Sequence, residues 1–160
     1  MGKILLIEDD NVAKKLIGKL NKRHTVECAY SYASAIGLWK EAEEDKESFN
    51  CIILDLNINP NGLSDEDIDK YFPVHGILIL DAICNLRTLD GNEKYTEKEK
   101  KDIWNKTTVY SAYIDRLLDN KSNFKYFDHL ELVSKQEPTS ISDLLDTVNE
   151  KLENKNADYE

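Results

Sequence analysis

The stretch Cys51-Ile52-Ile53-Leu54-Asp55-Leu56-Asn57 decides the fold. Four apolar residues in a row, two of them β-branched isoleucines, predict a strand buried on both faces, as in parallel sheets covered by helices. Asp55 follows directly. A carboxylate at the carboxyl end of a central parallel strand lies where open α/β sheets bind their ligands, in the crevice beyond the strand ends. Strand-end aspartates also open turns or cap helices, so the role of Asp55 rests on what the neighbouring strands bring to it.

Working outward, Lys3-Ile4-Leu5-Leu6-Ile7 repeats the pattern and ends in Glu8-Asp9-Asp10. Val12, Leu16, Ile17 and Leu20 then recur at helical spacing and predict an amphipathic helix from about Asp10 to Asn21, with Lys14, Lys15 and Lys19 outward. Thr25 to Ala29 is a weaker strand. Ser31 or Ser34 can cap a helix that turns Ala35, Ile36, Trp39 and Ala42 inward. Beyond Asp55, Asn57 to Gly62 is turn chemistry and Ser64 can cap a short acidic helix. Gly76 precedes the apolar helical run Ile77, Leu78, Leu80, Ile83 and Leu86. Thr96 and Glu99 have capping-box spacing, starting a surface helix through Trp104. Thr107 to Tyr110 is a fourth strand ending at Ser111-Ala112, and Leu130 to Val133 a fifth, followed almost at once by Lys135. A short helix fits 113–120, and Ile141, Leu144, Leu145, Val148 and Leu152 mark a terminal helix. Residues 155–160 are expected as a flexible tail after a single domain over 1–154.

With 160 residues, 32% of them charged and 41% hydrophobic, the chain suits one globular domain with a core of its own. The net charge of -10 argues against binding nucleic acid or anionic lipid. No apolar run reaches the roughly 20 residues of a membrane span and no signal-peptide pattern is present, so a cytoplasmic location is expected. Cys28, Cys51 and Cys84 are scattered among apolar residues, which predicts buried free thiols.

Five strands alternating with helices imply a doubly wound, five-stranded parallel sheet with helices on both faces, a flavodoxin-like α/β fold. In that fold one crevice gathers Glu8, Asp9, Asp55, Ser111 and Lys135. Three carboxylates together need a cation, and an oxygen-only donor set suits Mg²⁺. An ammonium and a hydroxyl beside the metal suit a phosphoryl group.

These fragments, Ile4-Leu5-Leu6-Ile7-Glu8-Asp9-Asp10, Ile53-Leu54-Asp55, Val109-Tyr110-Ser111-Ala112 and Val133-Ser134-Lys135, resemble in order and position the CheY-like receiver domain of two-component response regulators. The resemblance implies that Asp55 is the phosphoacceptor, taking its phosphoryl group from a histidine kinase or a histidine phosphotransfer protein. It implies Mg²⁺ ligation by Asp9 and Asp55, by Glu8 mainly through water, and by the backbone carbonyl of Asn57. Ser111 would move to a phosphoryl oxygen after transfer, and Lys135 would pair with the phosphoryl group or with Asp55. A downstream protein target is implied as well, and homodimerisation stays open.

The chain departs from the family pattern in several places. Lys135-Gln136-Glu137-Pro138 replaces the usual Lys-Pro pair, and Leu132 stands at a switch position that is often aromatic. Gly76 lies farther from Asp55 than is usual, which marks Pro60 to Val74 as an insertion, either a surface elaboration pinned by Tyr71, Phe72 and Val74 or a border to the crevice. A second enlargement falls between about Thr88 and Lys106. Two other classes compete: a degenerate receiver that only binds proteins, and a Mg²⁺-dependent phosphatase with an aspartyl nucleophile. The second would have an aspartate two positions after the first, where this chain has Asn57.

Overall fold

The computed structural model describes residues 2–8 and 12–157. Five strands, β1 (Lys3–Ile7), β2 (Thr25–Ala29), β3 (Cys51–Leu54), β4 (Thr107–Ser111) and β5 (Glu131–Ser134), form one parallel sheet in the order β2-β1-β3-β4-β5. The expected doubly wound fold is therefore present, and each strand lies within a residue or so of its predicted place. The order turns back between β1 and β3, so the crevice of such a sheet opens at their carboxyl ends.

Side-chain alternation along each strand sorts the core into two layers. Leu5, Ile7, Ile52, Leu54 and Val109 face one side, packed with Ala35, Trp39, Ile79, Leu80, Ile83, Ile103, Trp104 and Leu117. Those residues come from α2 (Tyr32–Glu44), α4 (Leu78–Cys84), α5 (Glu97–Asn105) and α6 (Ile114–Asp119). Ile4, Leu6, Cys51, Ile53, Tyr110 and Val133 face the other side, against Ala13, Leu16 and Leu20 of α1 (Val12–Leu20) and Leu144, Val148 and Leu152 of α7 (Ser140–Ala157). Burying each Ile or Leu side chain contributes about 1.5–3 kcal/mol, and β3 is buried at all four positions because both layers close over it.

Local chemistry sets the helix starts. Ser31 caps α2, with Ser34 completing a reciprocal capping box, and Thr96 with Glu99 does the same for α5. In α2 the expected Ala35, Trp39 and Ala42 are buried, whereas Ile36 is only half-buried. The helix expected at the surface through Trp104 is α5, yet Ile103 and Trp104 are fully enclosed because the aromatic residues Phe124 and Tyr126 pack over Trp104. The α7 helix runs to Ala157, into the stretch expected as a tail, and residues 158–160 lie outside the described residues.

The segment expected as an insertion, Pro60 to Val74, folds around one short helix, α3 (Asp65–Tyr71), capped by Ser64. It leaves β3 alongside the start of α2, where Tyr32 N–H donates to Asn59 O at 3.0 Å and Ala33 N–H to Asn61 O at 2.9 Å. It returns through Tyr71, which packs on Phe124, and through buried Val74. Phe72, expected to pack with them, is instead 63% exposed and lies against the His75 ring. His75 closes the base of the loop with Nε2 2.7 Å from Ile58 O, and Gly76 N–H donates to Leu56 O at 2.7 Å. The contact is so close that a Cβ on Gly76 would stand 2.5 Å from Asp55 O and 2.7 Å from Leu56 O.

Gly76→Ala must therefore push the chain apart beneath Asp55, and we expect a loss of about 1–3 kcal/mol in urea denaturation. Gly18 offers the contrast: it is exposed in α1 with nothing within 4 Å of a built Cβ. Gly18→Ala should stabilise by about 0.5–1 kcal/mol in the same measurement.

Candidate functional site

Register carries the crevice residues to one place. Ile7 pairs with Leu54, and Ser111 with Ser134, so Glu8 and Asp55 leave adjacent strands at one level and Lys135 leaves β5 beside the end of β4. The backbone secures this arrangement: Asp55 N–H donates to Ile7 O at 2.9 Å, and Lys135 N–H to Ser111 O at 3.0 Å. By the same alternation that builds the two core layers, Glu8, Asp55 and Lys135 fall in step with Leu6, Ile53 and Val133, on the α1/α7 side.

The three side chains meet there. Lys135 Nζ donates to Glu8 Oε2 at 2.7 Å and to Asp55 Oδ2 at 3.1 Å. Leu56 N–H holds the other oxygen, Asp55 Oδ1, at 2.8 Å. Glu8 is 1% exposed and Asp55 7%. The Lys135 ammonium also lies 5.3 Å from the centre of the Tyr110 ring, whose hydroxyl is 3.2 Å from Ser140 Oγ at the start of α7. Tyr110 is the residue that sequence reasoning passed over. Its signal was the alternation in β4, which puts it on the Lys135 side while Val109 and Ser111 point to the other.

Burial, and then the charge of Asp55, push the Glu8 carboxyl up to about 8 despite its bond to Lys135. Burial acts against the Lys135 ammonium, but Asp55 and Glu8 outweigh it and raise its pKa above the ordinary lysine value. Ser111 is buried, and its Oγ accepts from Tyr113 N–H at 3.2 Å. No hydrogen bond joins its side chain to Glu8, Asp55 or Lys135 among the described residues. Asn57 is half-buried two residues beyond Asp55. Asp9, the third expected carboxylate, lies outside the described residues.

The donor set fits a hard divalent cation. Among the described residues Glu8 Oε1 is buried without a hydrogen-bond partner, and two carboxylates share one ammonium. A second cation would offset both the burial of the Glu8 carboxylate and the charge of Asp55, which together raise the Glu8 carboxyl.

No protein-family model matches the sequence, and no curated protein matches it. Solved structures do. The chain is similar to a response regulator receiver domain from Francisella, with 18% identity over 97% of this chain and 99% of that one and a TM-score of 0.58. It is similar to a CheY-like receiver domain from Methanospirillum hungatei, with 18% identity over 99% and 98% of the two chains and a TM-score of 0.56. The fold is that of a response regulator receiver domain. A sensor protein from Polaromonas shares it, with 17% identity over 96% of this chain and 97% of that one and a TM-score of 0.61. Among the described residues, no helix is long and apolar enough to cross a membrane.

The segment expected as an insertion lies to one side of the crevice. Its anchors Tyr71 and Val74 belong to the core layer of α2, α4 and α5, across the sheet from the side on which Glu8 and Lys135 meet. Leu132, at the switch position, is half-buried against that same layer.

The raised Glu8 carboxyl has a measurable consequence. Below its ordinary value of 4.5 the folded and unfolded chains are both protonated; between 4.5 and about 8 the unfolded chain ionises while the folded one keeps its proton. Glu8 therefore makes stability fall as pH rises through that window, by an amount on the order of a few kcal/mol. In EDTA, Glu8→Gln should flatten this part of the pH profile of unfolding, and an unchanged profile would contradict the assignment.

Proposed function

We propose that the chain is the phosphoacceptor of a two-component phosphorelay, taking a phosphoryl group onto Asp55 from the phosphohistidine of a histidine kinase or phosphotransfer protein. The observation that carries the reading is the Lys135 ammonium shared between Glu8 and Asp55 at the turning point of the strand order. On this reading it acts in the cytoplasm and passes its signal to a downstream protein by contact.

The residues divide the work as their geometry suggests. Leu56 N–H fixes one oxygen of Asp55, leaving Oδ2 on the Lys135 side as the nucleophile. A bond forms from that oxygen to phosphorus as the phosphorus–nitrogen bond to the donor imidazole breaks, its electron pair leaving with the imidazole. Lys135 offsets negative charge on the transferring oxygens, a role that needs a cation held in place before the reaction begins. Tyr110 limits where that ammonium can go, from one side. Ser111 is tied to Tyr113 N–H here, and its hydroxyl is the group that would exchange this bond for a phosphoryl oxygen. Mg²⁺ held by Asp9, Asp55 and the Asn57 carbonyl, with Glu8 acting through water, would supply further charge neutralisation at the phosphoryl group. With Leu132 in place of an aromatic residue, the readout of phosphorylation runs through Ser111 and its loop rather than through a ring at that position.

Incubation with acetyl phosphate and Mg²⁺, followed by intact mass measurement, tests the assignment. Wild type should gain one phosphoryl group and Asp55→Asn none; phosphorylation that survives in Asp55→Asn would overturn it. Lys135→Ala should slow the gain by about a hundredfold while Mg²⁺ titration of the variant still reports binding.

A further inference from the structure

Away from the Asp55 crevice, the end of α1 and the middle of α7 enclose a pocket of about 300 Å³ whose lining includes Lys19, Lys22, Arg23, His24, Asp146 and Asn149. On a chain of net charge -10, three cations and one carboxylate at one place are a local reversal of sign. Lys3, Lys100, Lys125 and Lys135 form ion pairs with carboxylates. Lys19, Lys22 and Arg23 form none among the described residues, although Asp146 shares their pocket.

The polar groups behind them are arranged as donors. Gly2 N–H donates to His24 Nδ1 at 3.2 Å, so that nitrogen accepts and Nε2–H donates to Asn149 Oδ1, also at 3.2 Å. This bond occupies the oxygen of Asn149 and leaves its NH₂ to donate elsewhere. The end of α1, which would otherwise repel an anion, has carbonyls already engaged: Ile17 O accepts from Asn21 N–H, and Leu20 O from Arg23 and His24 N–H.

We propose that this pocket binds a small phosphate-class anion, a pyrophosphate or a metabolite bearing one. Several convergent cations favour a multivalent anion, and the guanidinium fork of Arg23 matches phosphate oxygens in a way a lone lysine does not. The pocket lies at the lower end of the volume range of small-molecule sites. The site is separate from the crevice and stands or falls independently of phosphotransfer at Asp55.

The test is titration of the full chain with inorganic pyrophosphate, in EDTA and at low ionic strength, followed by backbone amide NMR. Saturable shifts should appear at Lys22, Arg23, His24 and Asn149, with Asp55 and Lys135 unmoved. The exposed double variant Lys22→Ala/Arg23→Ala should bind about tenfold more weakly or worse, whereas Asp146→Asn should bind more tightly, since the one opposing charge is gone. ADP binding more tightly than pyrophosphate would identify a nucleoside diphosphate; equal affinity would identify the diphosphate group alone as the determinant. Shifts confined to the crevice, shifts that never saturate, or equal binding by wild type and the double variant would overturn the proposal.

Discussion

A single half-buried ammonium, that of Lys135, holds the carboxyl end of this sheet together. Lys135 is the cation that Glu8 and Asp55 share, and both carboxylates are almost wholly removed from water. Two such carboxylates side by side are costly: each loses hydration, and each repels the other. Burial first, and then the charge of Asp55, keep the Glu8 carboxyl pushed up to about 8 even with Lys135 bonded to it. A further cation would relieve that cost, and among the described residues Glu8 Oε1 is the carboxylate oxygen there that has no hydrogen-bond partner.

That arrangement follows from register more than from any feature of the loops. Glu8, Asp55 and Lys135 are far apart in sequence, and each is the first residue after a short strand. Parallel pairing levels the strand ends, and the alternation of side chains then selects one side of the sheet for all three. A slip of one residue in β5 would turn Lys135 to the other side. The Lys135 N–H to Ser111 O bond, at 3.0 Å, fixes that level at the point where a slip would do most harm.

Much of this was legible in the sequence because it depends on local, periodic signals. Apolar runs marked β1 and β3, weaker patterns marked β2, β4 and β5, and the polar residues at the strand ends marked the crevice. What escaped was information held by tertiary contacts. Trp104 sits on a helix whose own sequence, Glu97 to Asn105, is largely charged, and it is enclosed only because Phe124 and Tyr126 arrive from a distant connection. Phe72 reads as a packing residue beside Tyr71, yet its position beyond the end of α3 turns it outward onto His75. Tyr110 looks like any strand aromatic until the parity of β4 is set against that of β5. Asp9, central to the expected metal set, falls outside the described residues, so its place in the crevice rests on the sequence.

The departures from the receiver pattern are distributed unevenly, and the distribution has a physical reason. The insertion around α3 and the anchors of the enlarged connection through α5 are tied to the core layer of α2, α4 and α5, where Trp39, Trp104, Phe124 and Tyr126 provide apolar area for added segments to cover. The opposite layer has only α1 and α7 over Ile4, Leu6, Ile53 and Val133, and the crevice residues lie at its edge. Extra chain on that side would have to displace one of those helices or cover Lys135. Extra chain on the aromatic side can bring its own buried residues, as Val74 and Trp104 do, and so offset the entropy of ordering it. Between the two layers, β3 is buried at every position and paired on both edges. One face of the domain could therefore diverge while the geometry of Glu8, Asp55 and Lys135 stayed fixed by the strands.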